Sequence, residues 1–200
     1  NMAGELVPSV TTILGILAKP ALVHWAWELG LKGEDYRKVR DDAASVGTLA
    51  HYLIMCHLKR EKPDTSEYSA QDIYQAETCL LKYWDWQKEH PMTPLLVETP
   101  LVSEQLGFGG TLDCLASMNG EIVLIDHKTG KGVYSDHFYQ LAAYRHLAQE
   151  MGYNVAGARI LRIGRDPSEG FEEFLALNTA RDWAIFQNCL AIYQLQKKAR

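Results

Sequence analysis

Residues 107–128 read GFGGTLDCLASMNGEIVLIDHK, and this stretch decides the fold. At its centre Asn119 and Gly120 predict a two-residue turn, because both residue types readily adopt the positive φ angles that a tight hairpin needs. The strand after the turn, predicted at 121–126, contains four consecutive apolar residues at 122–125. Such a run is typical of a strand buried on both faces. The stretch therefore predicts an antiparallel hairpin whose second strand lies inside a sheet.

The rest of the chain divides into a helical first half and a mixed second half. Ser9, directly after Pro8, is typical of a helix N-cap, and Pro91 and Pro94 end the helical half. This order predicts an α/β protein with an N-terminal helical lobe. The first predicted helix begins at Ser9, and the further predicted helices cover 20–30, 41–59, 69–89, 136–151 and 179–200. The predicted strands are 95–102, 107–118, 121–126, 155–163 and 171–177.

Two carboxylates meet at one end of the predicted hairpin. Asp113 and Asp126 lie at equal distances from the turn, so they face each other across the two strands. Two ionised carboxylates repel each other, and a divalent cation between them removes the repulsion. The alternative for either residue alone is a strand-end carboxylate that points into water.

Lys128 extends this acidic pair. Residues two apart on a strand point to the same side, so Lys128 reaches the space that Asp126 faces. An ammonium there can stabilise charge on a phosphoryl oxygen or position an attacking water. Gln140 and Tyr144, one turn apart on the next helix, share a face that can orient a phosphate, the lysine or a base. The alternatives are a solvated lysine and an ordinary amphipathic helix.

Gly47 and His51 are one turn apart on the third predicted helix. A glycine lets the helix approach another element closely, at a cost of roughly 1 kcal/mol in helix propensity. A neutral imidazole is a competent ligand for a divalent cation, and a core or surface histidine is the alternative. The carbonyl of His127, within the acidic group, is a further candidate ligand. Glu98 offers a carboxylate near a second metal, with a sheet-edge or salt-bridged glutamate as the alternative.

In this order the residues resemble the PD-(D/E)xK nuclease superfamily, and more narrowly its RecB-type branch. That branch has a helix histidine, an aspartate, an Asp-x-Lys and a Gln-x-x-x-Tyr. The matching positions are His51, 110–113 (GTLD), 125–128 (IDHK) and 140–144 (QLAAY). The opening 8–14 (PSVTTIL), followed by Trp25, is similar to phage exonucleases and the mitochondrial genome maintenance exonuclease. The second acidic position is aspartate, as in the RecB-type branch, rather than glutamate.

The resemblance implies a restriction-endonuclease-like core, in which a mixed sheet is flanked by helices. It implies one nuclease domain over 1–200, with a helical lobe at about 1–93 and an αβ catalytic core at about 94–200. The implied cofactor is Mg²⁺ or Mn²⁺. The implied site residues are the ligands His51, Asp113, Asp126 and the His127 carbonyl, the catalytic group Lys128 with both aspartates, and the DNA contacts Gln140 and Tyr144.

The activity implied by the resemblance is that of a DNA exonuclease acting on single strands or free ends. Three alternatives stay open, namely a structure-specific DNA endonuclease of the same fold, a non-catalytic nucleic-acid-binding module and a hydrolase of a different phosphoester. Aromatic side chains can stack on the bases if the bound DNA is single-stranded. The candidates are Trp25, Trp27, Tyr134 and Tyr139 for stacking, and Lys131, Arg145, Arg159, Arg162 and Arg165 for phosphates.

Composition limits the partners and the compartment. The 200 residues carry 20 Lys and Arg against 25 Asp and Glu, a net charge of −5, so bulk attraction does not hold nucleic acid. The four cysteines form no CxxC pair and are predicted to be buried, which argues against a zinc ribbon. Only Cys189 lies late in the chain, which argues against the iron–sulfur form of the family. No stretch approaches the ~20 apolar residues of a membrane span. We therefore expect an intracellular protein, with a phage as a candidate source.

Overall fold

A computed structural model of the chain describes residue 4 and residues 6–198, which form helices around one mixed sheet. This architecture confirms the predicted α/β class with N-terminal helices. The final helix was predicted to reach residue 200, and positions 199 and 200 lie outside the described residues. The elements are α1 Val10–Leu14, α2 Pro20–Leu31, α3 Tyr36–Lys59, α4 Ala70–Glu89, β1 Met92–Ser103, β2 Phe108–Met118, β3 Glu121–Lys128, α5 Ser135–Glu150, β4 Val155–Ile163, β5 Phe171–Leu175 and α6 Thr179–Lys198.

The five strands follow one another across the sheet in chain order. All neighbours are antiparallel except β3 and β4, which are parallel and connected through α5. The predicted hairpin is confirmed, because β2 and β3 pair from Met118 with Glu121 onwards. Asn119 and Gly120 have φ angles of 51° and 83°, as a two-residue hairpin turn requires. With β2 on one side and β4 on the other, β3 is the central strand.

Two hydrophobic cores cover the two faces of the sheet. Consecutive residues of β3 alternate between them, so Leu124 packs on the side of α1, α5 and α6, while Ile125 packs on the side of α3 and α4. Both residues are almost fully buried, which confirms burial of β3 on both faces. Helix α2 lies outside these cores, and Leu29 is its only buried residue.

The predicted bounds of α3, β1, β3 and β5 are wrong, and β3 runs to Lys128 rather than ending at residue 126. Helix α3 begins at Tyr36 rather than near residue 41, because the Asp35 carboxylate accepts a hydrogen bond from Arg37 N and caps the charged first turn. Strand β1 is longer than predicted and contains Pro94 and Pro100, which an edge strand tolerates. Strand β5 ends at Leu175 instead of residue 177.

The N-terminal segment is held against the sheet at the strand that carries Asp113. Ser9 caps α1 by accepting a hydrogen bond from Thr12 N, as predicted. The carbonyl of Pro8 accepts a bond of 3.1 Å from Gly109 N at the start of β2. The four cysteines are buried and unpaired, in line with the prediction. Among the helices of the described residues, none is long and apolar enough to cross a membrane.

Candidate active site

The two aspartates lie just beyond the last pair of the β2–β3 hairpin. Cys114 pairs with Ile125, and Asp113 and Asp126 directly follow this pair on the two strands. This agrees with the register predicted from the turn. The carboxylate of Asp113 accepts a hydrogen bond of 2.7 Å from the backbone N–H of His127. That bond ties the side chain on β2 to the end of β3.

Lys128 and Asp126 form a buried ion pair on the side of the sheet that faces α5. Nζ of Lys128 lies 2.8 Å from Oδ2 of Asp126, whose side chain is only 1% exposed. Burial raises the pKa of Asp126, against the opposing charge of Lys128. Burial also acts to lower the pKa of Lys128, but the carboxylates of Asp126 and Asp113 outweigh it and raise that pKa. The lysine therefore stays a cation beside the acidic pair.

Gln140 and Tyr144 hold the lysine from α5 through a chain of hydrogen bonds. Nζ of Lys128 donates to Oε1 of Gln140 at 3.1 Å, and Nε2 of Gln140 donates to the Tyr144 hydroxyl at 3.0 Å. Tyr144 is buried, and burial raises its pKa to about 12. A Cβ at Gly110 would lie 2.7 Å from Cε1 of Tyr144, so only glycine fits beside this ring. These contacts orient the lysine, one of the three roles expected for this helix face.

His51 reaches the acidic pair from α3. Its Nδ1 lies 3.6 Å from Oδ2 of Asp113 and 3.8 Å from Oε1 of Glu98. Burial acts to lower the pKa of His51, but the neighbouring carboxylates outweigh it and raise the pKa to about 9. Gly47, one turn earlier, is where α3 approaches the chain after β3: a Cβ there would lie 3.1 Å from Oγ1 of Thr129. The close approach expected of this glycine is therefore present.

The ring of His127 also enters the site. The resemblance implies a role for its carbonyl alone, whereas Nδ1 of the buried ring lies 3.6 Å from Oδ2 of Asp113. The ring packs edge-on against Tyr83 of α4 at a centroid distance of 5.3 Å and against His51 at 5.8 Å. Burial, together with the charge of His51, lowers the pKa of His127 to about 3. The ring is therefore neutral at ordinary pH and has lone-pair electrons available for a cation.

The donor atoms at this edge fit a divalent cation. Both carboxylate oxygens of Asp126 are buried; Oδ2 lies 2.8 Å from Nζ of Lys128, and Oδ1 has no hydrogen-bond partner among the described residues. One ligand atom each from His51, Asp113 and His127 lies within 4.8 Å of the other two. Carboxylate oxygens suit Mg²⁺ and Mn²⁺, and imidazole nitrogens suit transition-metal cations. The residues present therefore fit the Mg²⁺ or Mn²⁺ that the resemblance implies.

A cavity of about 690 Å³ opens beside His51. One face of α3 lines it, and Glu98, Thr129 and Arg165 complete its wall. Glu98 adopts a φ of +46°, which is unusual for a residue that is neither glycine nor asparagine, and it lies between the residues of β1 that pair with Leu112 and Cys114. Nothing in the sequence marks this backbone conformation or predicts that the cavity adjoins Glu98.

Some of the other candidate DNA contacts are hydrogen-bonded or ion-paired within the protein, and others are exposed. Arg145 donates to the carbonyl of Val155, while Arg159 and Arg162 form ion pairs with glutamates of β5. Trp25 and Tyr139 are half-buried. The exposed candidates are Lys131, Trp27 and Tyr134, while Arg165 lines the cavity and donates a hydrogen bond of 3.2 Å to the carbonyl of Ala43.

The sheet edge, with its acidic pair, buried lysine and histidines, has the composition of a metal-dependent hydrolase centre. The sequence model of the PD-(D/E)XK nuclease superfamily matches residues 21–197. The chain therefore belongs to this superfamily of metal-dependent nucleases, whose substrates are nucleic acids.

Two further comparisons with known proteins add no information about the fold or the function. No curated protein matches the chain. A solved structure titled "Crystal structure of SSO0001" is 13% identical, with a TM-score of 0.33. The match covers 62% of this chain and 62% of that one. A likeness of this level has no bearing on the fold or the function.

Proposed function

We propose that the chain is a divalent-metal-dependent DNA exonuclease of the RecB-type branch, similar to phage exonucleases and the mitochondrial genome maintenance exonuclease. The main support for the proposal is that four side chains lie close together at one edge of the sheet. His51 and Asp113 are 3.6 Å apart, and Lys128 is 2.8 Å from Asp126, which faces Asp113 across the hairpin. The proposed unit is one nuclease domain, with a helical lobe at about 1–93 and a catalytic core at about 94–200.

The aspartates and histidines would hold Mg²⁺ or Mn²⁺, and Lys128 would act on the phosphate. When bound, the cation supplies a Lewis acid for a phosphoryl oxygen and a water of lowered pKa. Its ligands would come from the side chains of His51, Asp113 and Asp126 and from the carbonyl of His127, and Oδ1 of Asp126 has no other partner among the described residues. The ammonium of Lys128 stabilises the negative charge that develops on the phosphoryl oxygens or positions the attacking water.

Gln140 and Tyr144 keep the ammonium in place during this reaction. The bond of 3.1 Å from Lys128 to Gln140 and the bond of 3.0 Å from Gln140 to Tyr144 fix the direction of the Nζ atom. A positioned cation avoids reorganisation at the moment of reaction, which is where electrostatic catalysis gains its effect. Gln140, which is half-buried, also lies where a DNA phosphate next to the lysine would contact it.

The wall of the cavity beside His51 carries two guanidinium groups, which suit a phosphate backbone. They belong to Arg40 and Arg165, and the cavity has a volume of about 690 Å³. The exposed rings of Trp27 and Tyr134 are available for stacking on bases of a single strand. Preference for free ends follows if α2, which buries only Leu29, forms part of an arch over the site that admits a single strand.

Incubation of end-labelled single- and double-stranded DNA with Mg²⁺ or Mn²⁺ tests the activity. We expect the wild type to degrade single strands, and Asp126→Ala and Lys128→Ala to be slower by about 100-fold or more, as for loss of other charge-stabilising groups. Asp85→Ala and Lys88→Ala are the matched controls, because these residues form an exposed ion pair on α4. Inactive wild type, or equal rates in the site variants, would reject the nuclease and leave a binding module or another phosphoesterase.

A covalently closed circular single strand separates the two modes of cleavage. A strict exonuclease has no end to act on, so the circle should survive under conditions that degrade the linear strand of the same sequence. Cleavage of the circle would replace the exonuclease with the structure-specific endonuclease. Comparison of 5′- and 3′-labelled linear strands in the same assay gives the direction of digestion.

A further inference from the structure

We propose that the ring of His127 is itself a cation ligand, so that His51, Asp113 and His127 form a centre that prefers a nitrogen-binding transition cation to Mg²⁺. The inference rests on the proposed function, because it concerns the same sheet edge. It assigns to the side chain a role that the resemblance gives only to the main-chain carbonyl.

Two of the three donor separations are close to those of a formed metal site, and all three lie within 4.8 Å. Nδ1 of His51 and Nδ1 of His127 each lie 3.6 Å from Oδ2 of Asp113. Two ligand atoms bound at about 2.1 Å in a tetrahedral site are about 3.4 Å apart. Shifts of a few tenths of an ångström, within reach of side-chain rotation, would bring both pairs to that separation. The three residues come from α3, β2 and β3, so the site is held by three different elements.

Packing alone does not account for the His127 ring. The side chain is 3% exposed, and its Nε2 has no hydrogen-bond partner within the part of the chain described. Buried polar side-chain atoms are nearly always hydrogen-bonded, and a buried unpaired nitrogen costs free energy. A phenylalanine would make the same edge-on contact with Tyr83 without that cost. The imidazole is explained if its other nitrogen binds a cation.

The ring and the Asp126–Lys128 pair approach from opposite faces of the sheet. Side chains alternate along β3, so Asp126 and Lys128 face α5 while His127 faces α3 and α4. Asp113 borders the ring of His127 and stands opposite Asp126. A cation on the α3 face can therefore bind two imidazoles and Asp113 without displacing Lys128 from its ion pair.

The two imidazoles determine which cation is preferred. Imidazole nitrogen suits Mn²⁺ less than Co²⁺, Ni²⁺ or Zn²⁺, while Mg²⁺ takes oxygen ligands and keeps several waters. Co²⁺ should therefore bind more tightly than Mg²⁺, and the difference should depend on His127. Removing this ring should weaken Co²⁺ by about tenfold or more, the scale expected when even an outer-sphere partner of a metal site is lost.

Titration of the metal-free protein with Co²⁺ and with Mg²⁺, followed by calorimetry and visible absorption, tests the assignment. His127→Phe keeps the ring against Tyr83 and removes both nitrogens. His57→Phe is the matched control, because His57 also packs edge-on against Tyr83, at 6.1 Å, and is hydrogen-bonded to Gln87. We expect His127→Phe to lose Co²⁺ affinity with little change for Mg²⁺, and His57→Phe to bind both cations as wild type does. Equal Co²⁺ affinity and spectra in wild type and His127→Phe would overturn the proposal.

Pulsed electron paramagnetic resonance of bound Mn²⁺ gives a test that does not need the His127 variant to fold. Two directly bound nitrogens are expected in wild type and one in His51→Gln. A single nitrogen in wild type, or none in His51→Gln, would overturn the role of the ring. The two proposals can fail separately. DNA cleavage with only one nitrogen bound to Mn²⁺ would refute the role of the His127 ring and leave the nuclease. Two bound nitrogens without DNA cleavage would refute the nuclease and leave the role of the ring.

Discussion

Replacing Gly110 by alanine should damage the site from a distance, through Tyr144. The new Cβ would lie 2.7 Å from Cε1 of Tyr144, whereas non-bonded carbons normally rest about 3.5–4.0 Å apart. Tyr144 is 5% exposed and hydrogen-bonded to Gln140, so its ring has little room to retreat. The ring must move by about 1 Å to restore normal contact distances. Gln140 follows the hydroxyl, and Lys128 follows Gln140.

The size of the effect follows from this overlap. Overpacking of a well-packed core typically costs about 1–3 kcal/mol, so the free energy of unfolding of Gly110→Ala should fall by that amount. A misplacement of about 1 Å in a reacting group can cost on the order of 100-fold in rate. Activity should therefore fall further than the loss of folded protein explains, because most molecules remain folded while Lys128 is misdirected.

Urea unfolding and single-turnover DNA cleavage measure the two effects in the same samples. Gly157→Ala is the matched control, since a Cβ there would lie 3.7 Å from the nearest carbon of Val123, an ordinary contact. In a Tyr144→Leu background the overlap is relieved, so Gly110→Ala should cost at least about 1 kcal/mol less than in wild type. Additive costs in this double-mutant cycle, or full activity of Gly110→Ala, would refute the transmission through Tyr144.

Three other perturbations test separate parts of the site and fold. Gln140→Leu removes the acceptor 3.1 Å from Lys128, so kcat should fall by about 10–100-fold with KM nearly unchanged; a raised KM with normal kcat would make Gln140 a DNA-binding residue instead. Burial acts to lower the pKa of His51, but nearby carboxylates raise it to about 9, so cation binding at pH 7 should release about one proton and tighten towards pH 9. Calorimetry in two buffers of different ionisation enthalpy counts that proton, and none released would remove His51 from the ligands. Gly120→Ala, at a φ of 83°, should lower the free energy of unfolding by about 1–2 kcal/mol in urea without changing the cleavage rate of the folded protein.

Features set by short-range geometry were predictable from the sequence. The Asn119-Gly120 turn fixes the register of the hairpin, and the register brings Asp113 opposite Asp126. Strand periodicity then puts Lys128 beside Asp126, where Nζ lies 2.8 Å from the carboxylate. The spacing of Gln140 in the same way anticipated a side chain that orients the lysine. Each inference needs only the backbone geometry of neighbouring residues.

The start of α3 and the length of β1 could not be predicted in this way, because they depend on more than the geometry of neighbouring residues. Apolar periodicity does not reveal the first turns of α3, because they are charged and solvent-exposed, with an Asp35 cap in place of core contacts. Strand β1 begins before Pro94, and a proline argues against a strand unless that strand lies at an edge. Only the order of strands in the sheet reveals that it does.

The sequence by itself determined the α/β class, the hairpin and the order of the acidic pair, the lysine and the Gln140–Tyr144 face, because chain geometry over a few residues fixes them. Tertiary structure alone decided that the His127 ring meets His51 and Asp113, and that Glu98 and Arg165 share a cavity with His51. These contacts depend on which helices pack on which face of the sheet. That choice is made by the hydrophobic cores as a whole, and no local pattern around these residues encodes it.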